Sequence, residues 1–98
     1  MLAVIARLKV QEGKGPAFED AAAALIAYVR ANEPGTTTYT LYRSQAVPTD
    51  CTFYEVYADP DAFAAHGGSP AMMTFFGAAG GLLAGRPEIT MMETVAGK

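Results

Sequence analysis

The chain predicts an α+β sandwich in which one antiparallel four-stranded sheet is backed by helices. Three observations carry that expectation. Four segments have strand character, two of them alternating with period two and two rich in β-branched and aromatic residues; segments of helical spacing lie between the first and second strands and between the third and fourth; and nothing else is left over in 98 residues. A 51 % hydrophobic and 17 % charged composition favours a packed core over disorder. With no linker, low-complexity stretch or strong repeat, residues 1–98 form one expected domain.

"LAVIARLKV" alternates, Leu2, Val4, Leu8 and Val10 against Ala3, Ile5, Arg7 and Lys9, and is the first strand. "EGKGP" breaks it and sets Pro16 in the first turn of a helix, whose apolar positions are Phe18, Ala22, Leu25 and Val29. "NEPG" ends that helix near Asn32. "TTTYTLYRS" and "CTFYEVYA" are strands joined by the loop "QAVPTD". Asp59 caps a short helix ending at Gly67, and Ser69-Pro70 starts another expected to run to about Ala84. "PEITMMETV" closes the sheet, with Ile89, Met91 and Val95 opposite Thr90, Met92 and Thr94. The order β-α-β-β-α-β, with its second helix interrupted, is that of a ferredoxin-like sandwich.

Both sheet faces are expected to carry large apolar groups: Val4, Leu8, Tyr54 and Val56 on one, Ile5, Phe53 and Tyr57 on the other. Helices cover one face, and no spare element remains for the second. A second copy of the chain is the economical cover, so a sheet-to-sheet homodimer is expected.

A net charge of −3 offers no general attraction to phosphate backbones or anionic lipid, so neither nucleic acid nor a membrane surface is an expected partner. The N-terminal run is too short and too interrupted by Arg7 and Lys9 for a signal peptide, and no apolar stretch approaches a membrane span. One cysteine, Cys51, makes no internal disulfide, which fits a reducing cytoplasm. One His and one Cys are too few for a structural zinc site, and no bound metal is expected.

Several places in the chain are candidates for chemistry. His66, the only histidine, falls in the last turn of a short helix and is either a proton-accepting base or a helix cap bonded to a carbonyl. Glu55, in the middle of "FYEVY", orients a substrate or His66, or else pairs across strands with Arg7 or Arg43. Tyr57, on the same face, is a ring-stacking group or a core aromatic. Met72, Met73, Phe75 and Phe76 line an aromatic-sized pocket or pack as ordinary core. Gly77, Gly80 and Gly81 each cost a helix about 1 kcal/mol against alanine, which suggests close approach or open space beside it. Cys51 lacks a neighbouring base and is a weak nucleophile candidate. Tyr39 and Tyr42 face opposite ways on their strand, and one of them reaches the pocket.

The order "VIARLKVQEGK", Phe18 in a long helix, "EPGTTTYTLYRS", "FYEVYADPDAFAAHGGSPAM" and "TMMETV" resembles the antibiotic biosynthesis monooxygenase family over nearly the whole chain. Its most specific part runs from Tyr54-Glu55 through Tyr57 to His66 and Ser69-Pro70. The resemblance implies a ferredoxin-like dimer whose paired sheets form a barrel, with one pocket per subunit between sheet and helices. Relatives include cofactor-independent quinol and polyketide monooxygenases, haem-degrading enzymes and an isomerase, so the scaffold does not choose the chemistry. Haem-degrading relatives place an Asn and an iron-ligating His where this chain has Ala6 and Phe75, and their Trp falls at His66, which argues against haem. The usual Trp after the strand-three Glu is Tyr57 here.

RNA-recognition domains share the element order but carry a basic, Gly-aromatic third strand, whereas "CTFYEVYA" is acidic at its centre and has no Lys or Arg.

The resulting expectation is a monooxygenase that uses dioxygen and no cofactor on a small electron-rich aromatic, a quinol or polyketide phenol. His66 and Glu55 are the catalytic candidates. Tyr57, Arg7, Arg43, Met72, Phe75 and Phe76 are the substrate-binding ones, with Arg7 or Arg43 holding an oxyanion. A small-molecule isomerase and a non-catalytic dimeric ligand-binding or stress module are the alternatives.

Overall fold

The computed structural model describes all 98 residues. The strands are β1 (Leu2–Lys9), β2 (Thr36–Arg43), β3 (Asp50–Tyr57) and β4 (Glu88–Glu93); the helices are α1 (Gly15–Asn32), α2 (Pro60–Gly67) and α3 (Pro70–Ala79). They form one antiparallel sheet of order β2-β3-β1-β4, the ferredoxin-like arrangement. No helix is long and apolar enough to cross a membrane.

Local chemistry starts and stops each helix. Pro16 sits in the first turn of α1, where its missing N–H costs no helical bond. The carboxylate of Asp59 accepts the Ala62 N–H at 2.8 Å, and the Ser69 hydroxyl accepts the Met72 N–H at 3.2 Å, so α2 and α3 each have the expected cap. The buried positions of α1 are Phe18, Ala22, Leu25 and Val29, the stripe read from the sequence. They pack on Ala6, Leu8, Val10, Phe53, Phe75 and Ala79. Burial of Phe18, Leu25 and Val29 contributes roughly 1.5–3 kcal/mol each.

Register sorts the sheet faces differently from the expectation. Val4 lies opposite Glu55, Ala6 opposite Phe53 and Leu8 opposite Cys51, and residues directly opposite each other share a face. Val4 and Leu8 therefore join Phe53, Glu55 and Tyr57 beneath the helices, while Ile5 joins Tyr54 and Val56 on the uncovered face. Tyr42 and Met92 extend that second face. A bulge between Thr36 and Thr38 resets β2, so that Tyr39 and Leu41 stand opposite Glu55 and Phe53 on the helix side.

Two other expectations change. The last helix stops at Ala79 and tightens into a 3-10 turn at Gly80–Leu82, rather than reaching Ala84. Glycines hold a helix poorly, and the Gln11 side-chain amide bonds the Gly81 and Leu83 carbonyls instead. A Cβ at Gly77, Gly80 or Gly81 would meet nothing within 4 Å, so open space, and not close packing, surrounds them. The close approach is at Gly35, where a Cβ would lie 2.8 Å from that of Ala62 on α2. β4 ends at Glu93, leaving Val95 exposed beyond the strand.

Candidate functional site

A cavity of about 180 Å³ lies between the helix-facing side of the sheet and α2–α3. Val4, Ala6, Leu8, Phe53, Phe63, Met72, Phe75, Phe76 and Ile89 make most of its wall. Polar side chains enter it at Tyr39, Glu55 and His66 only. Strand alternation delivers Glu55 and Phe53 from β3 and Tyr39 from β2 to the same side, and the last turn of α2 lowers His66 onto them.

His66 is 2 % exposed and bonded at both ring nitrogens. Its Nδ1 lies 2.9 and 3.2 Å from the two carboxylate oxygens of Glu33, and its Nε2 lies 3.2 Å from the Tyr39 hydroxyl. A carboxylate only accepts, so Nδ1 carries the hydrogen; neutral imidazole then leaves the Nε2 lone pair for the Tyr39 O–H. Glu33 is held in turn by the Thr36 hydroxyl, which donates to Oε1 at 2.9 Å. The Tyr39 and His66 rings pack at 4.8 Å, with Phe53 on the other side of Tyr39 at 5.2 Å.

Glu55 is equally enclosed, at 6 % exposure. The Tyr57 hydroxyl donates to its Oε1 at 2.6 Å. Burial pushes the Glu55 carboxyl up to about 7; the Tyr57 hydrogen bond opposes this and the Glu33 charge adds to it. Burial also raises Tyr39, with the charges of Glu55 and Glu33 adding, and raises Tyr57, with its bond to Glu55 adding. Both phenols are therefore held neutral as donors. Glu55, near neutrality, exchanges between a carboxylate that accepts and an acid that donates.

Of the residues singled out in the sequence, His66, Glu55, Met72, Phe75 and Phe76 border the cavity. Tyr57 is wholly buried behind Glu55, packed between Phe63 at 5.2 Å and His66 at 5.6 Å, and acts on the site through its hydroxyl. Arg7 and Arg43, expected to bind substrate, border no part of it. Arg7 points from the uncovered face of β1, because it alternates with Ala6 and Leu8. Arg43 forks onto Glu19 of α1 at 2.6–3.0 Å on the surface. Neither pairs with Glu55, whose partner is Tyr57. Cys51 is buried in the core with its thiol pushed up by burial, the reverse of an activated nucleophile.

Glu33 was missed, since "NEPG" reads as a helix stop, and its pairing with His66 spans 33 positions. Its signal was a lone acid at the point where the chain leaves α1 for β2. Of the two tyrosines left open, Tyr39 is the one that reaches the cavity. Ala6 and Phe75 bring no metal-binding atoms to it, and no group of three or more His, Cys, Asp and Glu side chains converges anywhere in the chain.

The family model for antibiotic biosynthesis monooxygenases matches residues 1–78, from β1 through most of α3 and so across every polar residue of the cavity. The chain belongs to that family. A Caulobacter crescentus protein named for the antibiotic biosynthesis monooxygenases is 38 % identical, superposes with a TM-score of 0.94, and is matched over 97 % of this chain and 90 % of its own. A Mycobacterium tuberculosis protein is 27 % identical with a TM-score of 0.89, over 98 % of this chain and 96 % of its own. A Nitrosomonas europaea protein, 23 % identical with a TM-score of 0.91 over 98 % of this chain and 100 % of its own, shares the fold. No curated protein matches the chain. Membership in this family makes monooxygenase chemistry the coarse assignment.

Proposed function

We propose that the protein oxidises a small electron-rich phenol or quinol with dioxygen, without a cofactor, in the cavity beneath α2 and α3. The observation that carries this reading is an apolar, ring-lined cavity whose polar groups are gathered at Tyr39, His66 and Glu55. Its volume of about 180 Å³ compares with the roughly 150 Å³ of an apolar cavity known to hold benzene, so it suits one ring with modest substituents.

Phe53, Phe75 and Phe76 desolvate that ring, and the network ending at His66 takes its hydroxyl proton. The phenolate left behind is the stronger electron donor. In the overall reaction a ring C–H becomes C=O with one oxygen atom of dioxygen, and the other leaves as water with the ring hydrogen and the hydroxyl hydrogen. The substrate itself supplies the four electrons, so no reductant enters the balance. Glu55, protonated below about pH 7, donates to the carbonyl oxygen as it forms and accepts above that pH. Tyr57 keeps Glu55 in place.

The homodimer belongs to the same proposal. Tyr42, Tyr54 and Met92 are 57, 39 and 38 % exposed on the face that no helix covers, and a second sheet would bury them.

The test is dioxygen uptake and product analysis over a panel of single-ring quinols, with the wild type and His66→Gln, both checked for folding by circular dichroism. Turnover that needs dioxygen and falls at least 100-fold in the variant supports the reading. Equal turnover by both proteins removes His66 from the mechanism, and turnover that persists without dioxygen favours isomerisation.

A further inference from the structure

We infer that Tyr39, His66 and Glu33 form a proton exit line, in which Tyr39 is the group that meets the substrate hydroxyl and Glu33 delivers the proton to an outer groove. The inference rests on the proposed oxidation for its substrate class, a phenol, and on geometry for its path. Both nitrogens of His66 are already bonded within the chain, so a ligand in the cavity has no free imidazole nitrogen to address. It does have Tyr39, whose oxygen gives one hydrogen to His66 and keeps its own lone pairs for an incoming O–H.

Tyr39 also belongs to two spaces. One is the cavity; the other is a separate groove of about 480 Å³ between the end of α1 and β2, bordered by Arg30, Glu33 and Thr36 to Thr40. Glu33, with its side chain 10 % exposed, borders that groove and not the cavity. The three side chains therefore run from the apolar cavity to a second, more polar groove, by contacts of 3.2 and 2.9 Å.

The transfer balances without a redox partner. The substrate O–H breaks, leaving its electron pair on the substrate oxygen, and a new O–H forms on Tyr39. The original Tyr39 proton passes to His66 Nε2. The hydrogen on Nδ1 is then available to Glu33, and from Glu33 to water in the groove. Glu33 and Tyr39 face the imidazole directly, and Tyr57, bonded to Glu55, flanks it at 5.6 Å between ring centres. Glu33, bonded to Nδ1, is the carboxylate that faces the ring as the proton arrives at Nε2. A phenol moved toward the site is thus ionised where no water is needed to take its proton.

Para-nitrophenol, whose phenolate is yellow, tests the line in the full chain without dioxygen and without turnover. At a pH below the probe's own ionisation, the wild type is expected to bind it as the phenolate, while nitrogen-15 NMR shows His66, an Nδ1–H tautomer when free, gaining a hydrogen on Nε2. Tyr39→Phe is expected to keep affinity within about 3-fold, and its bound phenolate fraction to fall about 10-fold or more, because the relay oxygen is gone. Glu33→Gln, which accepts the Nδ1 hydrogen but takes no proton, is expected to bind the probe yet shift the ionisation to higher pH. Undiminished ionisation in Tyr39→Phe, an Nε2–H tautomer in the free wild type, or a probe bound only as the phenol overturns the inference. Success here together with no dioxygen uptake on any quinol would refute the proposed oxidation and leave the relay standing.

Discussion

Replacing Glu55 by glutamine isolates the cost of keeping a carboxyl in this cavity. Glutamine has nearly the same shape and still accepts the Tyr57 hydrogen bond, but it does not ionise. In the wild type, the folded chain holds the Glu55 proton up to about pH 7, whereas the unfolded chain releases it near 4.5. Below 4.5 both states are protonated and the carboxyl costs nothing extra. Between those values the folded state binds more protons than the unfolded one, so wild-type stability falls as pH rises, and the loss is complete once pH passes 7. At about 1.4 kcal/mol for each pH unit separating the two ionisations, the loss is of order 3 kcal/mol. The assay is urea unfolding of wild type and Glu55→Gln at matched protomer concentration across that range, since assembly would otherwise shift both curves. The expected result is a difference in unfolding free energy that moves in favour of the variant by about 3 kcal/mol from acid to alkaline pH. A flat difference would refute the reasoning, because Glu55 would then ionise in the folded chain as it does in the open chain. It would also remove the neutral acid that the proposed reaction uses to donate to a forming carbonyl.

Gly35→Ala should lose about 1–3 kcal/mol, since its new methyl would lie 2.8 Å from the Ala62 Cβ and must push α2 off the sheet; His66 rides on α2, so its NMR signals should move as well. Phe75→Ala should lose about 3–5 kcal/mol by thermal or urea unfolding, because Phe75 is 5 % exposed and meets Phe18, Phe53 and Phe76 edge-on at 5.7–6.0 Å. A loss under 1 kcal/mol would show that its neighbours collapse into the space. Tyr54→Glu, on the uncovered face opposite Ile5 and Thr40, should turn a sedimenting dimer into a monomer while leaving the far-ultraviolet circular dichroism unchanged; an unchanged sedimentation coefficient would place any dimer contact elsewhere.

The elements and their order were legible in the amino-acid sequence because the forces that define them are local. Asp59 and Ser69 cap the helices that follow them, Pro16 opens α1, and Phe18, Ala22, Leu25 and Val29 recur at the helical period. The same local reading placed Glu55 in the middle of a strand, His66 at a helix end, and Met72, Phe75 and Phe76 on a helix, all of which border the cavity. Its errors were in matters of register and distance. Alternation tells which residues of one strand share a side, but only pairing tells which side of the next strand joins them, and so Phe53 and Tyr57 were assigned away from Val4. Arg7 and Arg43 were attractive as cations on strands that could neighbour Glu55, yet alternation points one to the other face and Glu19 holds the other. Tertiary structure alone decided that Glu33, at the end of α1, meets His66 and that Tyr39 closes the line to the cavity. Those bonds join residues 27 to 33 positions apart, across three elements whose spacing is set by Gly35 and the β2 bulge, and no periodicity encodes a meeting of that kind.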